Sequence, residues 1–396
     1  MVEIRRVTGD ELLDTVRPLR AYAFMPSPLA DDLDEQRRAI RYHGDTWSLV
    51  GFEHGRAVCA ASALAMTQNV RGRVVPMAAI AGVATHPEAR RRGWAHQVLR
   101  RLLAERAEAG DVVSCLYPFR ESFYERLGFA GMAQVRAVTV RPDRLGPLLR
   151  RDLAGTVRLS PIRDGFEAYR DLLARVQPGA HGMALRDASS APRIRDRNEV
   201  WVALAEDGGG SVVAAMTYRI TGEGGQLRAG DLVSLTATGR YLLLHWVARH
   251  VDQVGTARLL VAPTERPETW QSDLDPIVTT RDDGVHTPMG RVLSIPALSG
   301  TAAGDGEFTA RVTDPDCPGN TGEYRFTGAG GVLSVEPVPA GTAGWELPVQ
   351  GLSALVYTGF DPVDLPFRGW GEPPVSVHQA VRAVFPPALP YLHEEF

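Results

Sequence analysis

The amino-acid sequence predicts two tandem α/β units followed by a smaller α+β unit, over residues 1–145, 146–290 and 291–396. Three observations lead there. The run Met77 to Thr85 is almost wholly apolar and is closed by His86-Pro87. It is too short for a helix and suits a central strand buried on both faces. A strand, a helix and another strand follow one another here and again near Leu232–Val261, the alternation expected of α/β units. Past about Gly290 the pattern gives way to short strands between Gly, Pro and Asp turns.

In the first unit, Trp47–Glu53 and Ala57–Met66 read as two strands joined by the turn His54-Gly55. After the central strand come three arginines, a glycine and a helical pattern. Trp94, Val98, Leu99, Leu102, Leu103 and Ala109 recur at three- and four-residue steps, and Gly110 suits a C-cap. Val112–Tyr117 is a second buried strand, and Ser122–Leu127 a short amphipathic stretch before Gly128-Phe129. In the second unit, Phe166–Val176 is helical. The strands Val200–Ala205 and Val212–Ile220 flank the hairpin signal Asp207-Gly208-Gly209-Gly210. Leu232–Leu235, Tyr241–Gln253 and Ala257–Val261 repeat the strand–helix–strand order. In the third unit, Phe308–Val312, Gly322–Phe326 and Val332–Val335 are strands, and Val349–Tyr357 and Pro374–Phe385 helices.

Composition narrows the function classes. Of 396 residues 44% are hydrophobic and 23% charged, enough apolar material for several cores. The net charge is -4, so no global basic field favours nucleic acid. All 43 basic residues are arginine. The three cysteines, Cys59, Cys115 and Cys317, are far apart and without metal spacing, so no metal site is expected. There is no signal-peptide pattern and no apolar run long enough for a membrane span, which makes a cytoplasmic protein the expectation.

The strongest chemical signal is the turn Arg90-Arg91-Arg92-Gly93-Trp94-Ala95 between the central strand and its helix. Backbone N–H groups and the partial positive charge of a helix N-terminus form an anion site there, suited to a pyrophosphate. Glycine lets phosphate oxygens come close, and the arginines add charge-assisted bonds. With no Gly-Lys-Ser and only one glycine, the turn is neither a Walker loop nor a dinucleotide fingerprint. A solvated arginine cluster before an ordinary helix is the competing reading.

Arg90-x-x-Gly93-x-Ala95 fits the R/Q-x-x-G-x-G/A signature of GNAT acetyltransferases. Ser122-Phe123-Tyr124-Glu125-Arg126-Leu127-Gly128-Phe129 resembles a second GNAT segment, in the expected order. The whole chain resembles the enhanced intracellular survival (Eis) family, which has two GNAT-like domains and then a sterol-carrier-protein-like domain. Length, a second unit lacking the arginine–glycine turn, and the chain end Glu395-Phe396 agree with it.

That resemblance implies an acetyl-CoA-dependent N-acetyltransferase. It places the coenzyme along the backbone of Val83, Ala84 and Thr85. The pyrophosphate then lies on Arg91, Arg92, Gly93, Trp94, Ala95 and His96, with a further contact near Phe119 and Arg120. It makes Tyr124 the general acid and the C-terminal carboxylate of Phe396 the general base. It also implies a small-molecule primary amine as acceptor, direct transfer in a ternary complex and a homohexamer, while the second unit's lack of the phosphate turn predicts one coenzyme per chain. Trp94 also reads as core packing, His96, His245 and His250 as ordinary helix residues, and Cys115 as buried and unreactive. Asp282-Asp283 reads as a polar turn, although it and Glu394-Glu395 could line a cationic-substrate pocket. Family members with broad aminoglycoside activity often carry an acid near the segment that here reads Ala23-Phe24-Met25-Pro26-Ser27. The next acids are Asp31-Asp32, which counts against aminoglycosides. Two other readings stay open: a non-catalytic small-molecule or lipid-binding sensor, and an acyltransferase dedicated to a biosynthetic pathway.

Overall fold

The central apolar run folds as a strand because both of its faces are covered. In the computed structural model, which describes residues 2–25, 46–196, 199–280 and 286–396, this strand is β4 (Arg73–Thr85). Pro26-Ser27, Asp31-Asp32 and Asp282-Asp283 lie outside the described residues. The first sheet has the order β1 (Glu3–Val7), β2 (Trp47–Glu53), β3 (Arg56–Val70), β4, β5 (Val113–Leu116), β15 (Met289–Val292) and β6 (Ala130–Gly131), with β9 (Ala184–Arg186) paired to β3. β4 and β5 are parallel, and the other pairings are antiparallel. Ala78 and Ile80 face a core with Leu99, Leu102 and Leu103 of helix Trp94–Glu108. Met77 and Ala79 face the opposite core, with Leu352, Leu355 and Tyr357 of helix Val349–Thr358. Alternate β4 side chains thus serve two cores, which is why the strand reads as continuously apolar. Each fully buried leucine in these layers is worth roughly 1.5–3 kcal/mol of transfer free energy.

The second sheet has the order β14 (Ile277–Thr280), β7 (Arg136–Val140), β13 (Thr256–Val261), β12 (Gln226–Ser234), β11 (Val212–Ile220), β10 (Trp201–Asp207) and β8 (Gly155–Pro161). β12 and β13 form its parallel pair, joined through helix Ala237–Ala248. This is the crossover that joins β4 to β5 through helix Trp94–Glu108, so the architecture is two tandem α/β units of the same strand–helix–strand order. β10 and β11 form the expected hairpin around Asp207, whose backbone N–H donates to the Ser211 carbonyl at 2.9 Å. The third sheet is β18 (Val332–Pro337), β17 (Gly322–Ala329), β16 (Gly306–Thr313) and β19 (Glu346–Pro348). With the helices Val349–Thr358 and His378–Val384 it makes an α+β unit.

Three strands cross the boundaries drawn from sequence. β7, within residues 1–145, belongs to the second sheet between β13 and β14. β15, at the 290/291 boundary, returns to the first sheet between β5 and β6. β9, in the middle of 146–290, pairs with β3. Alternation of apolar residues shows that a segment has a buried face but not which sheet receives it. In the helix Trp94–Glu108, Val98, Leu99, Leu102 and Leu103 are buried as their spacing predicts. Ala109 lies one residue past the helix and is exposed, and Gly110 follows with φ 97°.

Candidate active site

The site begins where the parallel pair comes apart. β4 and β5 are in register from Met77↔Val113 to Ile80↔Leu116, and the pairing ends there. β4 continues to Thr85, held by β3 alone through Ser62↔Ala81, Ala60↔Ala84 and Cys59↔Thr85. From Ala81 to Thr85, then, one edge of β4 has no ladder partner among the described residues, although it lies within a sheet. The register shift between Ala60 and Ser62 sets one residue, Ala61, against two, Gly82 and Val83, which is a β-bulge. Gly82 has φ 63°, and a Cβ there would come within 2.8 Å of Arg20 Nε. The bulge therefore needs glycine both for its conformation and for the arginine packed over it.

Beyond Thr85 the chain makes a single 3₁₀ turn, Pro87–Ala89, and reaches the arginines. Arg91 and Gly93 both have left-handed φ values, 61° and 79°. Gly93 is the N-cap of helix Trp94–Glu108 and offers no side-chain cap to its first turn, so the N-terminal N–H groups lack a side-chain acceptor. A Cβ added at Gly93 would meet no atom within 4 Å, so the space above the turn is open. The corresponding helix of the second unit starts differently. Its N-cap Thr236 accepts the N–H of Gly239 through Oγ1 at 3.1 Å.

The three arginines are not equivalent. Arg92 donates to Glu53 of β2 at 2.8 and 2.5 Å and lies 5.4 Å from the centre of the Trp94 ring. Its hydrogen bonds hold the Glu53 carboxyl below the usual range. Arg90 donates to the Thr85 carbonyl at 3.4 Å and sits 5.9 Å from the Tyr22 ring. Arg91 is exposed. Trp94 packs against the core beside the helix, while its Nε1 is buried without a hydrogen-bond partner among the described residues. Ala95, His96, Val83 and Thr85 are half-buried, and Ala84 is buried.

After β5 the chain leaves the splay through Tyr117, Pro118, Phe119 and Arg120 into the short helix Glu121–Glu125. Phe119 is 61% exposed, a large apolar side chain held open at the mouth of the splay. Arg120 is exposed as well. Tyr124 is buried at 3% exposure, edge-on to Phe123 at 5.0 Å and to Phe119 at 5.6 Å. Burial pushes its phenol well above the ordinary value, so it stays protonated throughout the physiological range. Its hydroxyl makes no hydrogen bond among the described residues.

The last residues of the chain reach the same place. The Phe396 ring lies 5.5 Å from that of Tyr117. The Tyr117 hydroxyl donates to the carbonyls of Leu392 at 3.1 Å and Glu394 at 3.3 Å. Arg186 donates through Nε to the Glu394 carboxylate and through Nη2 to the Glu395 carbonyl at 2.5 Å. The Tyr391 hydroxyl donates to Asp231 at 2.6 Å. Among the residues predicted to act, the structure thus sets Phe396 beside the exit from β5, and Tyr124 one short loop further on. Glu394 is tied to Arg186 instead of facing an open pocket. Sequence reasoning missed Arg186, Tyr117, Glu53 and the bulge at Gly82. Only the bulge leaves a local trace, a glycine inside a strand pattern.

All three cysteines are buried and free. Burial raises the thiols of Cys59, Cys115 and Cys317 to about 11, 12 and 11. A depression of about 490 Å³ in the second unit, lined by residues including Arg144, Glu268, Asp273 and Asp275, includes none of the predicted site residues. No helix among the described residues is long and apolar enough to cross a membrane.

Comparison with known proteins agrees with this geometry. Residues 3–132 match the family model of the acetyltransferase (GNAT) domain. An uncharacterized N-acetyltransferase of Streptomyces coelicolor is 26% identical over 313 residues, 74% of this chain and 72% of the relative. Among solved structures, a GCN5-related N-acetyltransferase from Kribbella flavida superposes with a TM-score of 0.82 at 24% identity, covering 100% of this chain and 99% of that one. Eis1 from Mycobacterium abscessus superposes with a TM-score of 0.80 at 18% identity, covering 100% of both chains. Residues 3–132 are therefore an acetyltransferase (GNAT) domain, which lies in the first unit. The architecture over the full chain is Eis-like.

Proposed function

We propose that the protein transfers the acetyl group of acetyl-CoA directly to a primary amine in a ternary complex. The observation that carries this reading is the unpaired edge Ala81–Thr85, which leads into an open, uncapped helix N-terminus at Gly93. An extended ligand with amide groups satisfies such an edge as an added strand does, and a pyrophosphate satisfies the helix end. Acetyl-CoA carries both at matching ends. Val83, Ala84 and Thr85 hold the pantetheine arm by their backbones. Arg91, Gly93, Trp94, Ala95 and His96 hold the pyrophosphate, with Arg92 braced by Glu53 beside them. Phe119 and Arg120 flank the arm where it enters the splay.

Tyr124 acts as general acid. Its proton goes to the departing thiolate, whose conjugate acid has a pKa of roughly 8.5 against roughly 10 for an ordinary phenol. The transfer is uphill by about 2 kcal/mol in water, and the dry surroundings that raise the phenol raise the thiol in the same sense. The carboxylate of Phe396 takes the proton of the attacking amine, directly or through water. Direct transfer is supported by the cysteines, since a buried thiol raised to about 11 or 12 supplies no thiolate for an acyl-enzyme. One coenzyme per chain is supported by Thr236, whose side chain takes the capping position that Gly93 leaves open. The acceptor is a polyamine, a lysine side chain or an aminoglycoside. The third unit reads as sterol-carrier-protein-like, and the assembly as a cytoplasmic homohexamer.

The test is thiol release from acetyl-CoA with polyamines, lysine peptides and aminoglycosides, alongside calorimetry of acetyl-CoA binding. Release with at least one amine and a single site per chain are expected. Two sites per chain would refute the assignment of the second unit, and no release with any amine would refute the transfer reading.

A further inference from the structure

The second unit contributes two anchors to the last six residues of the chain. Asp231 of β12 accepts the Tyr391 hydroxyl at 2.6 Å. Arg186, the last residue of β9, holds both residues that precede Phe396, one by its side chain and the other by its carbonyl. Arg186 reaches the tail because β9 leaves the second unit and pairs with β3 of the first, with Met66 opposite Arg186. The ion pair is almost dry: the side chains of Arg186 and Glu394 are 5% and 9% exposed. A planar guanidinium that holds a carboxylate and a carbonyl in different directions fixes the backbone between them, which a point charge does less well. A chain end otherwise frays, because nothing beyond it restrains it. Here the tail is tied at Tyr391, Leu392, Glu394 and Glu395, and the residue left to project from these ties is Phe396.

We propose that Arg186 is the positioning residue for the chain end: by gripping Glu394 and Glu395 it sets the Phe396 carboxylate at the splay beside Tyr117. The inference rests on the reading of Phe396 as the base. It gives the second unit a task in the reaction without a coenzyme of its own, namely to hold the general base for the first.

The experiment is a double-mutant cycle between Arg186→Met and removal of Phe396, with kcat, KM for acetyl-CoA, acetyl-CoA affinity and thermal unfolding measured for each protein. Removal of Phe396 moves the terminal carboxylate back to Glu395, where Arg186 holds it one residue short of the splay, with an expected loss of about 100-fold or more in kcat. Arg186→Met is expected to lower kcat by about 10-fold or more, leaving acetyl-CoA affinity and its KM within about 2-fold. In the background lacking Phe396 it should change kcat by less than about 2-fold, because the group it positions is gone. Arg186→Lys, which keeps the charge but grips one partner at a time, should recover part of the loss. It carries the same cycle if the methionine variant does not fold. Equal losses from Arg186→Met in both backgrounds would overturn the proposal, since the arginine would then not act through the chain end. Wild-type kcat in Arg186→Met, with turnover still abolished by removing Phe396, would overturn it while leaving the base assignment standing. Wild-type kcat after removal of Phe396 would overturn both.

Discussion

Mild acid should loosen the junction of the three units through one histidine. The tip of the β3–β4 hairpin, the loop before β9 and the helix Val349–Thr358 meet at His181. Its Nδ1 accepts the backbone N–H of Arg71 at 3.0 Å, and its Nε2 lies 2.8 Å from the carbonyl oxygen of Tyr357. Only the neutral ring with its proton on Nε2 makes both bonds, since a protonated Nδ1 has no lone pair for Arg71. Burial, with the Arg71 charge adding to it, lowers the pKa from 6.5 to about 4. The folded state therefore refuses a proton that the unfolded chain takes up below pH 6.5. The stability tied to this group is complete above pH 6.5 and is lost as the pH falls from there toward 4. A displacement of about 2.5 pH units corresponds to ~3 kcal/mol in all, of which ~2 kcal/mol is gone by pH 5. The assay is urea unfolding of the wild type and His181→Gln at pH 7.5 and 5.0. The variant starts about 1–2 kcal/mol less stable, from the altered hydrogen bonds, but its loss between the two pH values should be ~2 kcal/mol smaller than that of the wild type. Using the difference between two proteins removes the contributions of other groups. Losses equal to within about 0.5 kcal/mol would refute the argument. The backbone N–H of Tyr391 donates to the His181 carbonyl at 2.7 Å, so the same acid range should also slacken the tail.

Three more outcomes follow from the site and its supports. Gly93→Ala meets no clash but must hold φ 79°, a conformation that costs an alanine about 1–2 kcal/mol. Acetyl-CoA binding measured by calorimetry should weaken by about 5- to 30-fold while the far-ultraviolet circular dichroism stays unchanged. Tyr124→Phe removes a hydroxyl with no hydrogen bond among the described residues, so thermal unfolding should hardly move while kcat falls by about 100-fold or more. Asp314→Ala leaves the fully buried Arg291, now bonded to Asp314 at 2.7 and 2.9 Å, with Asp316 at 3.6 Å as its remaining acidic partner among the described residues. Breaking a buried pair from one side costs about 3–5 kcal/mol, and chemical denaturation should show a loss at the lower end of that range.

What could be read from the sequence divides along physical lines. Local rules carried the elements around the proposed coenzyme half of the site. The apolar run Met77–Thr85, the uncapped Gly93 and the helical spacing of Val98, Leu99, Leu102 and Leu103 are properties of neighbours in the chain. The rest depends on which sheet a strand joins, and periodicity does not encode that. β9 has three residues and pairs with β3, whose Met66 lies 120 positions before Arg186. An arginine in such a short strand looks like any other surface arginine until its ion pair with Glu394 is seen. Arg92 shows the converse. Its position in the turn points toward a phosphate, but Glu53, on a strand nearly forty residues earlier, already binds it. Sequence spacing identifies a charged side chain without showing how much of its charge is already engaged.

The two crossovers within this one chain show how little separates the proposed coenzyme site from its counterpart in the second unit. Each is a strand, a helix and a parallel strand, and the first strand of each carries a local irregularity: β4 the bulge at Gly82–Val83, on its antiparallel edge with β3, and β12 the register shift between Arg228 and Asp231, in its parallel pairing with β13. The difference lies in the connection. Between Thr85 and Trp94 the first unit spends eight residues, including two left-handed ones, and delivers a helix end with no cap. Between Ser234 and Ala237 the second has two residues, and Thr236 closes the helix end with its own hydroxyl. A cap is worth about 1 kcal/mol to the helix that has one. The first helix forgoes that stabilisation in the absence of ligand, and its N-terminus remains free to receive an anion. Cutting the second connection's cap by Thr236→Ala would cost the fold about 1 kcal/mol but should create no second coenzyme site, because the two-residue link has neither the length nor the glycine to open a cradle. Calorimetry of that variant should still give one acetyl-CoA per chain, and a second binding event would show that the cap alone, and not the loop, separates the two units.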